Sequence, residues 1–91
     1  MAAIEKTFYG TSAVNIKSKA LTATGEVSGV PGVIWGYSGD GDADGVLSNG
    51  SGGAKLVYVY KGESVVFGKP IEASASIYWT KTGGNIVVYY E

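Results

Sequence analysis

The sequence predicts an all-β protein, an antiparallel β-sandwich or jelly roll of about eight short strands. Its 91 residues include 15 glycines, and no stretch carries the i, i+3, i+4, i+7 apolar spacing of an amphipathic helix. Short runs rich in valine, isoleucine, tyrosine and threonine are instead separated by turn residues at nearly regular intervals. The length predicts a single domain over residues 1–91.

The predicted strands follow one another with few residues between them. They cover residues 4–9, 12–17, 19–27, 32–38, 45–48, 54–61, 63–68, 74–80 and 85–90. Lys61-Gly62 and Gly83-Gly84 each separate two apolar runs, which predicts hairpin turns with glycine at positive φ. Pro31-Gly32 predicts either a type II turn or the start of a strand. The stretch 36–53 is the one long segment expected to be largely irregular.

Three predicted strands are apolar or aromatic on both faces. Leu56, Tyr58 and Tyr60 oppose Val57 and Val59; Ile86, Val88 and Tyr90 oppose Val87 and Tyr89; Ile77 and Trp79 oppose Tyr78. One small domain covers a single face of each sheet, so the second face predicts contact with another chain, either a homo-oligomer or a larger partner. Alternatively, the tyrosines lay their rings on the protein and keep their hydroxyls in water. The expected interface residues are Leu56, Tyr58, Tyr60, Trp79, Val88 and Tyr90.

Composition removes several classes of function. The chain has a formal net charge of −1 and no basic run, so nothing predicts binding to nucleic acid. It has no cysteine and no histidine, which removes thiolate chemistry and the commonest general base. The carboxylates Glu26, Glu63 and Glu72 show no diagnostic spacing, so we expect no enzyme. The N-terminus lacks signal-peptide features and no apolar run is long enough to span a bilayer, so we expect synthesis in a cytoplasm.

One acidic stretch has the beginning of a calcium-binding pattern. Asp40, Asp42 and Asp44 precede Gly45 with the spacing of an EF-hand loop. The bidentate glutamate that closes such a loop is replaced by Ser51, and no helix is predicted on either side. We therefore expect no cofactor and a solvated loop, with calcium as the alternative.

The aromatic residues offer another alternative. Eleven phenylalanine, tyrosine and tryptophan side chains could form a stacking platform for sugars or a host surface. Trp79, near Gly83-Gly84, is predicted to be the most exposed ring, and Trp35 and nearby tyrosines would complete the platform. Packing inside the sandwich is the competing explanation for the same residues.

The second half of the chain resembles a known group of proteins. The matching segments are Gly62 to Phe67, Pro70-Ile71, Ile77-Tyr78, Thr82 to Gly84 and Val87 to Glu91, within residues 30–91. They are similar to small all-β proteins of tailed-bacteriophage virions, of the capsid decoration or cement type. The resemblance implies a jelly-roll-like virion protein that binds the major capsid protein or another virion protein, with a trimer favoured. A head-fibre or tail accessory protein is the alternative that the same resemblance allows.

Overall fold

The computed structural model describes residues 7–8, 11–12 and 16–91, the first two pairs through their backbone alone. All regular structure in these residues is β-strand, which confirms the predicted class. The strands are β1 (Thr7–Phe8), β2 (Thr11–Ser12), β3 (Lys17–Leu21), β4 (Gly25–Ser28), β5 (Gly32–Gly39), β6 (Asp44–Asn49), β7 (Lys55–Val59), β8 (Ser64–Ala73), β9 (Ile77–Gly83) and β10 (Ile86–Tyr90).

Strands β3 to β10 form two antiparallel sheets of four strands each. Sheet I has the order β3-β10-β5-β8, and sheet II has the order β4-β9-β6-β7; β1 and β2 pair separately. The pairs β3 with β10, β4 with β9, β5 with β8 and β6 with β7 are nested, as in a long hairpin that has been rolled up. Nested pairing across two sheets is the topology of a jelly roll. Of the two architectures that the sequence allows, the structure therefore has the jelly roll.

The core lies between the two sheets. Sheet I contributes Ile34, Tyr37, Ile86 and Val88, and sheet II contributes Leu47, Val57, Val59, Ile77 and Trp79. On β7, β9 and β10 the buried residues alternate with more exposed ones, as the period of two in the sequence predicts. The structure shows which of the two faces of each strand turns inward, which the sequence leaves open.

Several predicted elements are wrong in extent or connection. The strand over 19–27 is broken at residues 22–24, where the chain passes from sheet I to sheet II. Lysine 81 holds this bend, because its Nζ donates to the Thr22 carbonyl (2.8 Å) and its backbone N–H donates to Thr24 Oγ1 (2.9 Å). These contacts come from residues far along the chain, so the local sequence does not show them.

The two predicted hairpin turns connect strands of different sheets. Gly62 and Gly84 do have positive φ (84° and 65°), but β7 leads into sheet I and β9 leads into sheet I as well. The hairpin among β3 to β10 is β6–β7, whose loop includes Gly50 and Gly52 at positive φ (82° and 77°). Glycine thus marks each turn, whereas the sheet to which the chain returns is set by long-range pairing.

The remaining differences are of extent. The segment 36–53 is mostly strand, since β5, β6 and the β6–β7 loop occupy it, and Gly32 starts β5. Strand 63–68 continues to Ala73 through an irregularity that contains Pro70, which an edge strand tolerates. Of the predicted strands 4–9 and 12–17, the residues 4–6, 9 and 13–15 lie outside the described residues.

The ring of Tyr37 lies in the core, and its hydroxyl reaches the edge of the core. The ring is buried against Phe67 in an edge-to-face contact, and the hydroxyl donates to Glu63 Oε1 at 3.1 Å. Burial, together with the bond to Glu63 and its negative charge, raises the pKa of Tyr37 from 10.0 to about 12. The folded chain therefore holds this proton more tightly than the unfolded chain.

We predict that this tyrosine makes stability fall in strong alkali. Its contribution is complete below the unfolded pKa of 10.0 and is lost as pH rises towards the folded value of about 12. Urea denaturation across this range should show a steeper decline for the natural chain than for Tyr37→Phe, which keeps the ring but does not titrate. Equal slopes for the two chains would contradict the prediction.

Candidate docking face

On the outer face of sheet II, uncharged side chains from three neighbouring strands lie together. Val46 on β6 lies opposite Tyr58 on β7 and opposite Thr80 on β9, so these three side chains share one side of the sheet. Tyr60 follows on the same side, where its ring lies beside that of Tyr58. Leu56 packs against the core, at a register shift in the pairing of β6 with β7. We name Val46, Tyr58, Tyr60 and Thr80 the tyrosine face.

Two tyrosines dominate this face. Tyr58 is 52% exposed and Tyr60 is 60% exposed, which makes them two of the large apolar or aromatic side chains that remain in water. Their rings are nearly parallel, with an interplanar angle of 18° and centroids 6.4 Å apart. Two adjacent ordered rings give a rigid contact surface that loses little conformational entropy on binding.

Strand β7, which carries Tyr58, is one of the four sheet edges. At the edge of sheet I, β3 carries Lys17, whose Nζ lies 6.0 Å from the centre of the Tyr90 ring, and Lys19, whose Nζ donates to the Glu26 carbonyl. Such lysines are a recognised protection of an edge strand. Strand β7 has no charge between Lys55 and Lys61, and its pairing to β6 is regular from Val57 to Val59.

The other two edges are interrupted. Strand β8 leaves its regular pairing between Val66 and Ile71, a stretch that includes Pro70. Strand β4 has only four residues and a register shift between Glu26 and Ser28. Bulges, proline and short length all discourage the addition of a further strand. Strand β7 also has a lysine, Lys55, at its start and a register shift in its pairing, so its two exposed tyrosines are what distinguish it from the other edges.

The grooves of the described surface are shallow. One of about 150 Å³ lies next to the tyrosine face, lined by Val46, Ser48, Gly52, Gly53, Lys55 and Thr80. Another of about 190 Å³ lies over β3 and β10, between Ala20 and Val87. A third, of about 330 Å³, lies between Pro31 and Glu72 and is wide open to solvent. Pockets for small molecules usually have about 300–1,000 Å³ and enclose most of the ligand. The geometry here suits contact with a surface better than enclosure of a small molecule.

The predicted interface residues separate into two groups. Tyr58 and Tyr60 lie together on the tyrosine face. Trp79 and Val88 are 0% exposed in the core, and Leu56 and Tyr90 are partly buried against that core. Trp79 and Val88 therefore cannot touch another chain while the sandwich is closed. The sequence shows which residues alternate on a strand, but it does not show which of the two faces turns inward.

The expectation of an exposed Trp79 is wrong for the same reason. Trp79 is among the largest fully buried side chains and lies opposite Leu47. Trp35 is buried as well, with its Nε1 donating to Glu91 Oε1 at 3.2 Å. A sugar-binding platform built on the two tryptophans is therefore excluded, which leaves the pair Tyr58 and Tyr60.

The aspartate stretch is a structural connection between two loops. Asp40 Oδ1 accepts the N–H of Asp42 (2.9 Å), and Asp40 Oδ2 accepts the N–H of Asn85 (3.0 Å). The backbone N–H of Asp40 donates to the Asn85 carbonyl. The β5–β6 loop is thus fastened to the β9–β10 loop. The expected long solvated loop is reduced to residues 40–43, of which Ala43 is buried.

The other members of the calcium pattern have separate roles. Asp42 lies 3.7 Å from Lys61 Nζ at the surface, and Asp44 begins β6. Gly45 is in an extended strand, and a Cβ there would meet the Thr80 carbonyl and lie 2.6 Å from the Trp79 ring. Glycine is needed here for packing against Trp79, not for the sharp turn of a calcium loop. Among the described residues, no three acidic side chains gather as a metal would require.

We predict that Asp40→Ala destabilises the fold by about 1–2 kcal/mol, because two loop N–H groups lose their acceptor. Asp42→Ala is the matched control. Its carboxylate has a single exposed ion pair, which contributes little. Urea denaturation of both variants measures the difference, and equal stability of the two would contradict the structural role of Asp40.

Calcium is expected to leave the melting temperature unchanged. Both oxygens of Asp40 already accept backbone N–H groups, so binding a cation would cost the loop its fastening. Thermal unfolding in excess chelator and in millimolar calcium chloride provides the test. A clear rise with calcium, abolished by Asp44→Asn, would overturn this expectation.

Comparison with protein-family models, curated proteins and solved structures finds no match for the chain. The described residues include no helix that is long and apolar enough to cross a membrane.

Proposed function

We propose that this protein is a non-enzymatic structural component of a phage virion that decorates the capsid by protein–protein contact. The tyrosine face is the observation that carries the proposal: two exposed, near-parallel rings lie side by side on the outer face of a sheet, at its edge strand. Exposed aromatic surface of this kind supplies the anchors of protein interfaces. The occupant of this face is a surface of another virion protein, with the major capsid protein as the first candidate.

The area of the face favours a shell as partner over a stable dimer. A fully buried aromatic side chain covers about 150–250 Å². Because Tyr58 and Tyr60 are 52% and 60% exposed, together they supply about 170–280 Å², roughly a quarter to a third of the roughly 800 Å² per partner of a stable complex. A single such contact is weak. If three copies associate through another surface, as the sequence resemblance implies, their tyrosine faces can bind a symmetric shell together and gain affinity by multivalency.

The fold and composition are compatible with this role. Jelly rolls occur in viral capsid proteins and in lectins, so the topology supports the proposal only by analogy. The low charged fraction of 16% suits subunit packing, and the shallow grooves suit a contact surface. The stabilising mechanism is passive, since apolar area removed from water holds neighbouring capsid subunits together.

Quantitative mass spectrometry of purified particles tests the proposal. The particles should come from the phage or prophage whose genome encodes the chain. A decoration protein should be present in a simple ratio to the major capsid protein. A few copies per particle would indicate a head-fibre or tail accessory protein instead. Absence from the particles would overturn a virion role.

Sugar binding is the second candidate function, favoured by the ring geometry of Tyr58 and Tyr60. Near-parallel exposed rings can stack on the faces of sugar units, and the adjacent groove offers polar groups from Ser48 and Lys55. Glycan-array binding that is lost in Tyr58→Ala and Tyr60→Ala, but kept in Val30→Ala, would support it. Val30 is a matched control because it is 63% exposed beside β4, at the opposite edge of sheet II.

A further inference from the structure

The sequence contains one Asn-Gly pair, at residues 49–50, where β6 ends and its loop to β7 begins. Such a pair is chemically reactive because glycine has no side chain to hinder attack by its nitrogen on the asparagine amide. The Gly50 nitrogen attacks Cγ of Asn49 and loses its proton to water, the Cγ–Nδ2 bond breaks, and ammonia leaves. Water then opens the resulting succinimide to aspartate or isoaspartate.

In the folded chain, both ends of the Asn49 amide are held. Nδ2 donates to Ser74 Oγ (2.9 Å), and Oδ1 accepts the N–H of Ala75 (2.7 Å). We name Asn49, Gly50, Ser74, Ala75 and Ser76 the amide clip. It fastens the β6–β7 loop to the connection between β8 and β9.

The attacking nitrogen is held as well. The N–H of Gly50 donates to the Ser76 carbonyl at 3.0 Å, while the Gly50 carbonyl accepts Ser48 Oγ (2.9 Å) and the N–H of Gly53 (3.1 Å). Gly50 is fixed at a φ of 82°. To close the ring, the loop must release the Ser76 carbonyl and turn the Asn49 side chain out of its two hydrogen bonds.

We propose that Asn49-Gly50 is a latent deamidation site, kept unreactive by the amide clip and modified when the clip opens. The two possible products then differ in their effect on the clip. An aspartate product still accepts the N–H of Ala75, and the Ser74 hydroxyl can turn to donate to it. An isoaspartate product adds a methylene to the backbone before Gly50, which displaces its N–H from Ser76. The isoaspartate chain cannot close the clip again. This inference is independent of the proposed function.

Peptide mapping by mass spectrometry, with enzymatic detection of isoaspartate, tests the proposal. The intact chain is incubated at mildly alkaline pH with and without unfolding urea. Asn49 should react at least about tenfold more slowly in the folded chain, because reaction requires local opening. Asn85, which is followed by the branched Ile86, should stay slow in both conditions. Equal rates for Asn49 in folded and unfolded chains would overturn the proposal.

Two variants separate the clip from general stability. Ser74→Ala removes the acceptor of Asn49 Nδ2 and should speed the reaction in the folded chain, with no change in urea. Ser51→Ala changes an exposed serine of the same loop and should leave both rates unchanged. An unchanged folded-state rate in Ser74→Ala would contradict the role of the clip. Asn49→Asp should fold with nearly natural stability, whereas the purified isoaspartate chain should melt at a lower temperature.

Discussion

Trp79→Ala is expected to remove about 3–5 kcal/mol of stability, the range found when a large buried aromatic side chain is truncated. The ring is fully buried between the sheets, opposite Leu47, and Gly45 lies directly against it. No neighbouring side chain can fill the space, because the strands on both sides of β9 are held by their own hydrogen bonds. A small domain has about 5–15 kcal/mol in total, so the variant should be largely unfolded at moderate temperature.

Urea denaturation followed by circular dichroism provides the measurement. Tyr78→Ala is the matched control, since Tyr78 is the adjacent aromatic residue on the opposite side of the same strand and is only half-buried. Its truncation should cost clearly less than that of Trp79. Nearly natural stability of Trp79→Ala would mean that the ring is exposed, and would restore the sugar platform that its burial excludes.

Gly84→Ala is expected to be the most damaging glycine substitution tested, with a loss of about 3 kcal/mol or more. Gly84 has a φ of 65°, and a Cβ there would overlap the Asp42 carbonyl carbon and the Ala43 nitrogen. Both of these atoms belong to the backbone, so no side-chain rotation can relieve the overlap. The alanine would force apart the two loops that Asp40 fastens together.

Gly62→Ala separates the cost of positive φ from the cost of the steric overlap. Gly62 also has positive φ (84°), but no atom lies within 4 Å of its Cβ position, so this variant should lose only the roughly 1 kcal/mol of left-handed strain. Thermal unfolding of both variants gives the comparison. Equal losses of stability would show that positive φ alone accounts for the loss at Gly84. The contact between the β5–β6 and β9–β10 loops would then contribute nothing to stability.

Local sequence patterns predict most of the strands and which residues of each strand share a face. In residues 55–60 and 77–79 the period of two puts Val57, Val59, Ile77 and Trp79 on one side, and the structure buries these residues. The nested strand order is beyond such patterns, because it pairs residues as distant as Lys17 and Tyr90. The break at residues 22–24 has the same origin, since the Lys81 contacts that hold it come from the other end of the chain.

For the candidate site, too, the sequence predicts features within one strand but not the neighbours from other strands. The sequence predicts that Leu56, Tyr58 and Tyr60 share a face; the structure places the two tyrosines on an outer face but packs Leu56 against the core, at a register shift in the pairing of β6 with β7. It does not predict Val46 or Thr80 beside them, because those neighbours depend on the register between β6, β7 and β9. The aspartate spacing suggests a calcium site only when the sequence is considered without its fold. Once folded, Asp40 binds the backbone of Asn85, and Gly45 makes room for Trp79.

Co-sedimentation with capsids that lack this protein tests the role of the tyrosine face most directly. The natural chain should sediment with the capsids, and the double variant Tyr58→Ser/Tyr60→Ser should bind at least about tenfold more weakly, because truncated aromatic anchors cost the most at an interface. The variant should keep its fold, since both rings are exposed. Val30→Ser, which removes an exposed apolar side chain at the other edge, should bind normally. Undiminished binding of the folded double variant would contradict a docking role for the tyrosine face.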